Sequence, residues 1–226
     1  MRVLSYNVHR WGDDRAALAR VFAAARVDVA LVQEAPTWFG TRRRRHAFAA
    51  SVGMRYVAGS ARNAVLVAEG IEYDEPRAWR VWRPFVRRRL RLVATQLPGG
   101  ALGASVVHAD RRVALVVCHL GLHTRGRQRE LEQVLRGCAS FGTPYLLCGD
   151  LNEEPGGPVW RRLAAEGLTD LGSEPTYPSS GPYKRIDGAL VSPGLDARLI
   201  AIDAAAEDLA AASDHLPMLV ELTSSG

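Results

Sequence analysis

The chain has 226 residues, 47% of them hydrophobic, enough for a sizeable buried core and a better fit to one large domain (1–226) than to two. No run nears the length of a membrane span and no charged-then-apolar leader precedes the first strand-like segment, so with Met1 as the start the expectation is a soluble cytoplasmic protein. Formal net charge is +5 and only one of the 29 basic residues is a lysine, Lys184. Arginine forks suit phosphate oxygens, although genome base composition enriches arginine equally well.

Arg2–His9 alternates as a strand and ends with Asn7 and His9 on one side. Asp13 or Asp14 can cap a helix whose apolar stripe is Leu18, Val21, Phe22 and Ala25. Val27–Glu34 is a continuous apolar strand, as expected when both faces are buried, and Pro36 closes it. Four arginines, Arg42–Arg45, precede a short helix expected over Ala47–Val52. Strands are expected at Arg55–Ala58, Asn63–Glu69, Arg89–Gln96 and Ala104–His108, the last turning through Ala109-Asp110 into Val113–His119. Between Arg77 and Arg91, Trp79, Trp82 and Phe85 interleave with arginines. That pattern suits either a base-stacking groove or a strand pair with an aromatic inner face. The runs Arg42–Arg45 and Arg87–Arg91 read either as solvated faces or as phosphate contacts.

Thr124 can cap the next helix, with Leu131, Val134, Leu135 and Cys138 on its core stripe and Arg125, Gln128, Arg129 and Gln133 toward solvent. Tyr145–Asn152 then carries the chain through the core, stops at Gly149 and releases Asp150 and Asn152 two positions apart. In extended chain such residues face the same side. An acid there can activate water or hold a metal, and an amide can donate to an oxyanion; the plainer reading is a polar turn. Gly157-Pro158 opens a helix that Gly167 ends. A Pro/Ser/Gly/Tyr-rich loop, Thr176–Lys184, leads into a strand at Arg185–Ser192, and further strands follow at Arg198–Ile202 and Met218–Leu222. Cys118, Cys138 and Cys148 sit in apolar runs, as reduced buried thiols would.

Strand ends thus supply Asn7, Glu34, His119, Asp150, Asn152, Asp187, Asp214 and His215. Several acids meeting at one point repel unless a cation neutralises them, and a set dominated by carboxylate and amide oxygen favours Mg²⁺ or Mn²⁺ over zinc. A histidine beside an acid is the usual means of orienting an imidazole. Taken singly, His119 reads equally as a satisfied core histidine and Asp187 as a partner of Arg185.

Five ordered segments carry a resemblance to a known family: Leu4-Ser-Tyr-Asn7, Val32-Gln-Glu34, His119-Leu120, Gly149-Asp-Leu-Asn152 and Ser213-Asp-His215, supported by Arg185-Ile-Asp187. Together they resemble the endonuclease/exonuclease/phosphatase superfamily of DNase I-like nucleases, sphingomyelinases and inositol-polyphosphate phosphatases. The resemblance implies an α/β fold, a four-layer α/β/β/α sandwich of two mixed sheets packed face to face with helices outside. It implies Glu34 as principal metal ligand with Asn7 beside it and Asp214 in support. Asp150 would orient or deprotonate the attacking water, Asn152 steady the phosphoryl oxygens, and His215, oriented by Asp187, bind phosphate. His119 would contact the phosphate or help the leaving group. His9 stands where some of these nucleases carry an acid.

The implied function is Mg²⁺-dependent phosphoester hydrolysis, nuclease-type on the strength of the positive charge, with Arg125 and Arg129 as substrate contacts. The alternatives are a lipid-headgroup or small phosphoester hydrolase, suggested by the Arg/Gln-rich helix after His119-Leu-Gly-Leu, and a non-catalytic binding module of the same fold.

Overall fold

The first strand, β1 (Arg2–Asn7), shows how the sequence builds layers. Val3 enters the space between two sheets, while Leu4 and Tyr6 point outward under helices. Both faces are therefore covered, and even the polar Ser5 is buried among its apolar neighbours. The computed structural model describes residues 1–37, 40–74, 76–80 and 100–223. Among these, β1 leads through a short 3₁₀ turn (His9–Trp11) to α1 (Arg15–Ala25), β2 (Val29–Gln33), α2 (Thr41–Ser51), β3 (Arg55–Ser60), β4 (Asn63–Val67) and β5 (Arg77–Arg80). The second half holds β6 (Gly100–His108), β7 (Arg111–His119), α3 (Thr124–Ala139), β8 (Tyr145–Asp150), α4 (Pro158–Ala165), β9 (Thr169–Asp170), β10 (Asp187–Val191), β11 (Ala197–Ile200), α5 (Ala206–Ala212) and β12 (Met218–Leu222).

The strands form two mixed six-stranded sheets, ordered β11-β12-β1-β2-β4-β3 and β5-β6-β7-β8-β10-β9. Between them lies a core of Val29, Leu31, Val65, Leu102, Leu115, Val117 and Leu146. Leu18, Phe22 and Phe48 cover the outer face of the first sheet; Leu131, Val134 and Leu163 cover that of the second. This is the four-layer α/β/β/α sandwich, and the three cysteines are buried and unpaired within it.

Several local readings change. α2 starts at Thr41, because a run of arginines is a good helix former and Arg45, Phe48 and Ala49 share its buried face. Thr124 is the first residue of α3 rather than its cap; His123 holds that position, and the Thr124 hydroxyl accepts from Arg127. Trp79 stacks edge-on against Phe141 and lies over Gly137 of α3, so it belongs to an aromatic inner face. The expected strand Arg89–Gln96, with Trp82, Phe85 and the run Arg87–Arg91, lies outside the described residues.

Two contacts shape the ends of the sheets. In β8, a Cβ on Gly149 would collide with the main chain of Cys118, so only glycine lets β7 and β8 close in register. On α3, buried Arg127 donates to the carbonyls of Gly121 and Leu122 and pairs with buried Glu153 at 2.9 Å, while Glu130 accepts from the Gly121 amide. The loops after His119 and after Asn152 are thereby pinned to one helix. Arg127→Ala leaves the largely covered Glu153 without its guanidinium partner and is expected to cost about 3 kcal/mol in urea denaturation, against little for the exposed Arg125→Ala.

Candidate active site

All eight strand-end residues named above come to the same end of the sandwich. The registers of the second sheet place His119 opposite Asp150 and Asp150 opposite Asp187, a row across β7, β8 and β10. The first sheet faces that row with Asn7 at the end of β1, Glu34 just past β2, and Asp214-His215 ahead of β12. Asn7, Glu34, His119, Asp150, Asn152, Asp214 and His215 line a cleft of about 530 Å³. Asp187 lies behind it, buried against the His215 ring.

Asp150 is the hub. One carboxylate oxygen, Oδ2, lies 3.2 Å from Asn7 Nδ2, which donates to it, 3.4 Å from His119 Nε2 and 3.8 Å from His215 Nε2. The other, Oδ1, accepts from the Asn152 main-chain amide at 2.9 Å. Burial pushes the Asp150 carboxyl up to about 6, helped by Asp187 and opposed by the two histidines. On the far side of His215, Nδ1 meets Asp187 Oδ2 at 2.8 Å, an oxygen that also accepts from the Thr176 hydroxyl at 2.6 Å. Burial alone would lower this histidine, but the hydrogen bond and charge of Asp187, with Asp150 and Asp214 behind, outweigh it and raise the ring to about 9. Asp150, Asp187 and His215 could chelate by distance, all three offering atoms within 4.8 Å of one another. The Asp187 oxygen, however, is already engaged by the His215 ring and the Thr176 hydroxyl.

Glu34 and Asn152 adopt left-handed backbone, φ 48° and 51°. For residues other than glycine such conformations cost of order 1–3 kcal/mol and collect at functional sites. The strand ends at Asp150, so Asn152 reaches the cleft through this turn rather than by extended alternation, and its Nδ2 donates to Leu120 O at 2.8 Å. His9, Arg10 and Trp11 make three successive left-handed residues. This turn lays Arg10 Nε 3.1 Å from Glu34 and leaves His9 bonded to Asp13 at 2.9 Å, with Asp214 at 3.9 Å.

Arg125 and Arg129 do not line the cleft. They sit on the exposed side of α3, because the turn of helix between them is anchored by Arg127 pointing the other way. Among the described residues, the Arg and Lys side chains that line the cleft are Arg10, Arg62, which stands 3.7 Å from Glu34, and Lys184. None follows an apolar run, and no spacing in the sequence marks them. Thr176 was hidden in the same way inside its polar loop.

The family model described as endonuclease/exonuclease/phosphatase matches residues 4–215. No curated protein matches by sequence. Among solved structures, the chain is similar to a mannosyl-6-phosphatase of Bacteroides thetaiotaomicron (15% identity, 99% of this chain and 100% of that one, TM-score 0.73). It is similar to ANGEL2, a 2′,3′-cyclic phosphatase bound to adenosine-2′,3′-vanadate (14%, 98% and 94%, TM-score 0.74). A third is the catalytic domain of human nocturnin with bound sulfate (16%, 99% and 93%, TM-score 0.72). At such identities the likeness is one of fold, whereas the family model spans nearly the whole chain. The chain belongs to the endonuclease/exonuclease/phosphatase family.

Proposed function

We propose that the protein is a Mg²⁺- or Mn²⁺-dependent phosphoester hydrolase that drives in-line attack of water on a phosphodiester, nucleic acid being the favoured substrate. The observation that carries this reading is the position of Asp150, a buried carboxylate held between two imidazoles and an amide and facing Glu34 across one cleft. An acid raised toward neutrality is suited to take a proton from water. Asp187 fixes the His215 ring, whose charged form presents Nε2–H beside Asn7 as a donor for a phosphoryl oxygen. His119, 3.4 Å from the same carboxylate oxygen, can give a proton or hydrogen bond to the leaving oxygen. The remaining Asn152 amide hydrogen is free to steady the phosphate.

Asn7, Glu34 and Asp214 supply oxygen donors only, the chemistry of a hard divalent ion rather than zinc. Such an ion would act there as a Lewis acid toward a phosphoryl oxygen. Arg10, Arg62 and Lys184 on the cleft walls suit a polyanionic substrate. The activities of the structural neighbours, two phosphatases among them, agree with phosphoester chemistry.

Hydrolysis of bis(p-nitrophenyl) phosphate, plasmid DNA, RNA and sphingomyelin with added Mg²⁺ or Mn²⁺ tests the assignment. Chelation should abolish turnover reversibly, and Asp150→Asn should lower kcat by at least about 10²-fold with the circular dichroism spectrum unchanged. Full activity in that variant sinks the mechanism. The His215 ring also leaves a mark on stability. Because its folded value is raised, its contribution is complete below the ordinary 6.5 and is lost as pH rises through about 9. Metal-free wild-type protein should therefore lose stability between about pH 6.5 and 9 relative to His215→Gln, as read by urea midpoints across that range.

A further inference from the structure

Arg45 is the fourth arginine of its run and the one that is not solvated. Its side chain is 3% exposed, yet no carboxylate reaches it among the described residues. Nε donates to Pro36 O at 3.0 Å and Nη2 to Ala61 O at 2.5 Å, so the guanidinium clasps the two loops that carry Glu34 and Arg62. Main-chain carbonyls do not neutralise a buried cation.

The third nitrogen, Nη1, rests over Gly59 on the wall of a groove of about 440 Å³ between α2 and the edge strand β3. A Cβ on Gly59 would overlap Nη1 and stand 2.7 Å from the Tyr56 hydroxyl. A cationic donor and a phenol therefore converge on space that exists only because residue 59 has no side chain. Arg42 and His46 complete the rim, the His46 ring edge-on to Tyr56 at 4.9 Å, and no acidic residue is among the described residues lining the groove.

We propose that this groove is a second phosphate site, which holds a backbone phosphate of a polynucleotide strand whose scissile phosphate lies in the cleft. The identity of the occupant rests on the nucleic-acid reading above. A donor set of guanidinium forks and a hydroxyl with no opposing acid matches a phosphate oxyanion. Three residue steps separate Gly59 on the groove from Arg62 on the cleft wall, a span of at most about 11 Å. A single strand leaving the cleft over Arg62 therefore meets the groove within a few nucleotides, and Arg43 and Arg44 stand exposed on the same helix.

The test is fluorescence anisotropy of a labelled single-stranded oligonucleotide in chelator, over a range of salt, alongside turnover of bis(p-nitrophenyl) phosphate with Mg²⁺. The doubly substituted Arg42→Gln/Tyr56→Phe protein leaves the Arg45 clasp intact, whereas Gly59→Ala fills the cradle and also crowds Arg45 Nη1. Both should bind the oligonucleotide about tenfold more weakly, and the double variant should lower the slope of log affinity against log salt by about 0.7. Turnover of the small diester should not change in the double variant. Wild-type affinity and slope in the double variant would overturn the groove site alone, as would an equal loss on the small diester in that variant, which would make groove and cleft one site. Wild-type protein that turns over the small diester but binds no oligonucleotide would overturn the nucleic-acid reading and this occupant together.

Discussion

The structure turns on burying one carboxylate. Asp150 is 2% exposed, and an isolated charge at such a depth is costly unless donors surround it. Asn7 from the first sheet and the Asn152 amide from the second donate to it, and the His119 and His215 rings stand 3.4 and 3.8 Å away, while Asp187 on the neighbouring strand works against it. Gly149 makes the arrangement possible, since the approach of β7 to β8 leaves no room for a side chain at that step. A core built for stability alone would have no use for so much polar traffic at one point. The cluster is better understood as the reason the two sheets meet with their ends aligned.

Around that hub, several side chains are aimed by left-handed backbone. Glu34, Asn152 and the three residues from His9 to Trp11 hold left-handed backbone without being glycine. Each leaves its strand at an angle that a regular extension would not give. The compensation is visible in main-chain hydrogen bonds, from Val8 to Gln33, from Arg10 to Glu34 and from Leu120 to Asp150, which lash the ends of neighbouring strands to one another.

Much of this was legible beforehand because parallel and doubly covered strands write themselves as unbroken apolar runs, and the residue that ends such a run is conspicuous. Glu34, His119 and Asp150 were found that way and Asn7 at the end of an alternating strand, and the structure gathers them at one cleft. Arg127 was missed for the opposite reason. It lies four residues before Leu131 on the buried stripe of α3, but its charge disguised a position that spacing alone would have marked as interior. Arg45 was disguised likewise within a run that reads as solvated. Arg10 left no trace, since nothing in His9-Arg-Trp announces a left-handed turn, and Thr176 meets Asp187 only through the path of a long polar loop.

The pairing of Glu34 with Arg10 and Arg62 has a thermodynamic corollary. The acid is already matched by guanidinium groups of its own chain, so folding does not wait upon an ion. On the reading proposed above, a divalent ion held by that carboxylate would compete with both guanidinium groups, and an anion engaging them would compete with the carboxylate in turn. By linkage, each charge would then raise the affinity for the other by the same factor.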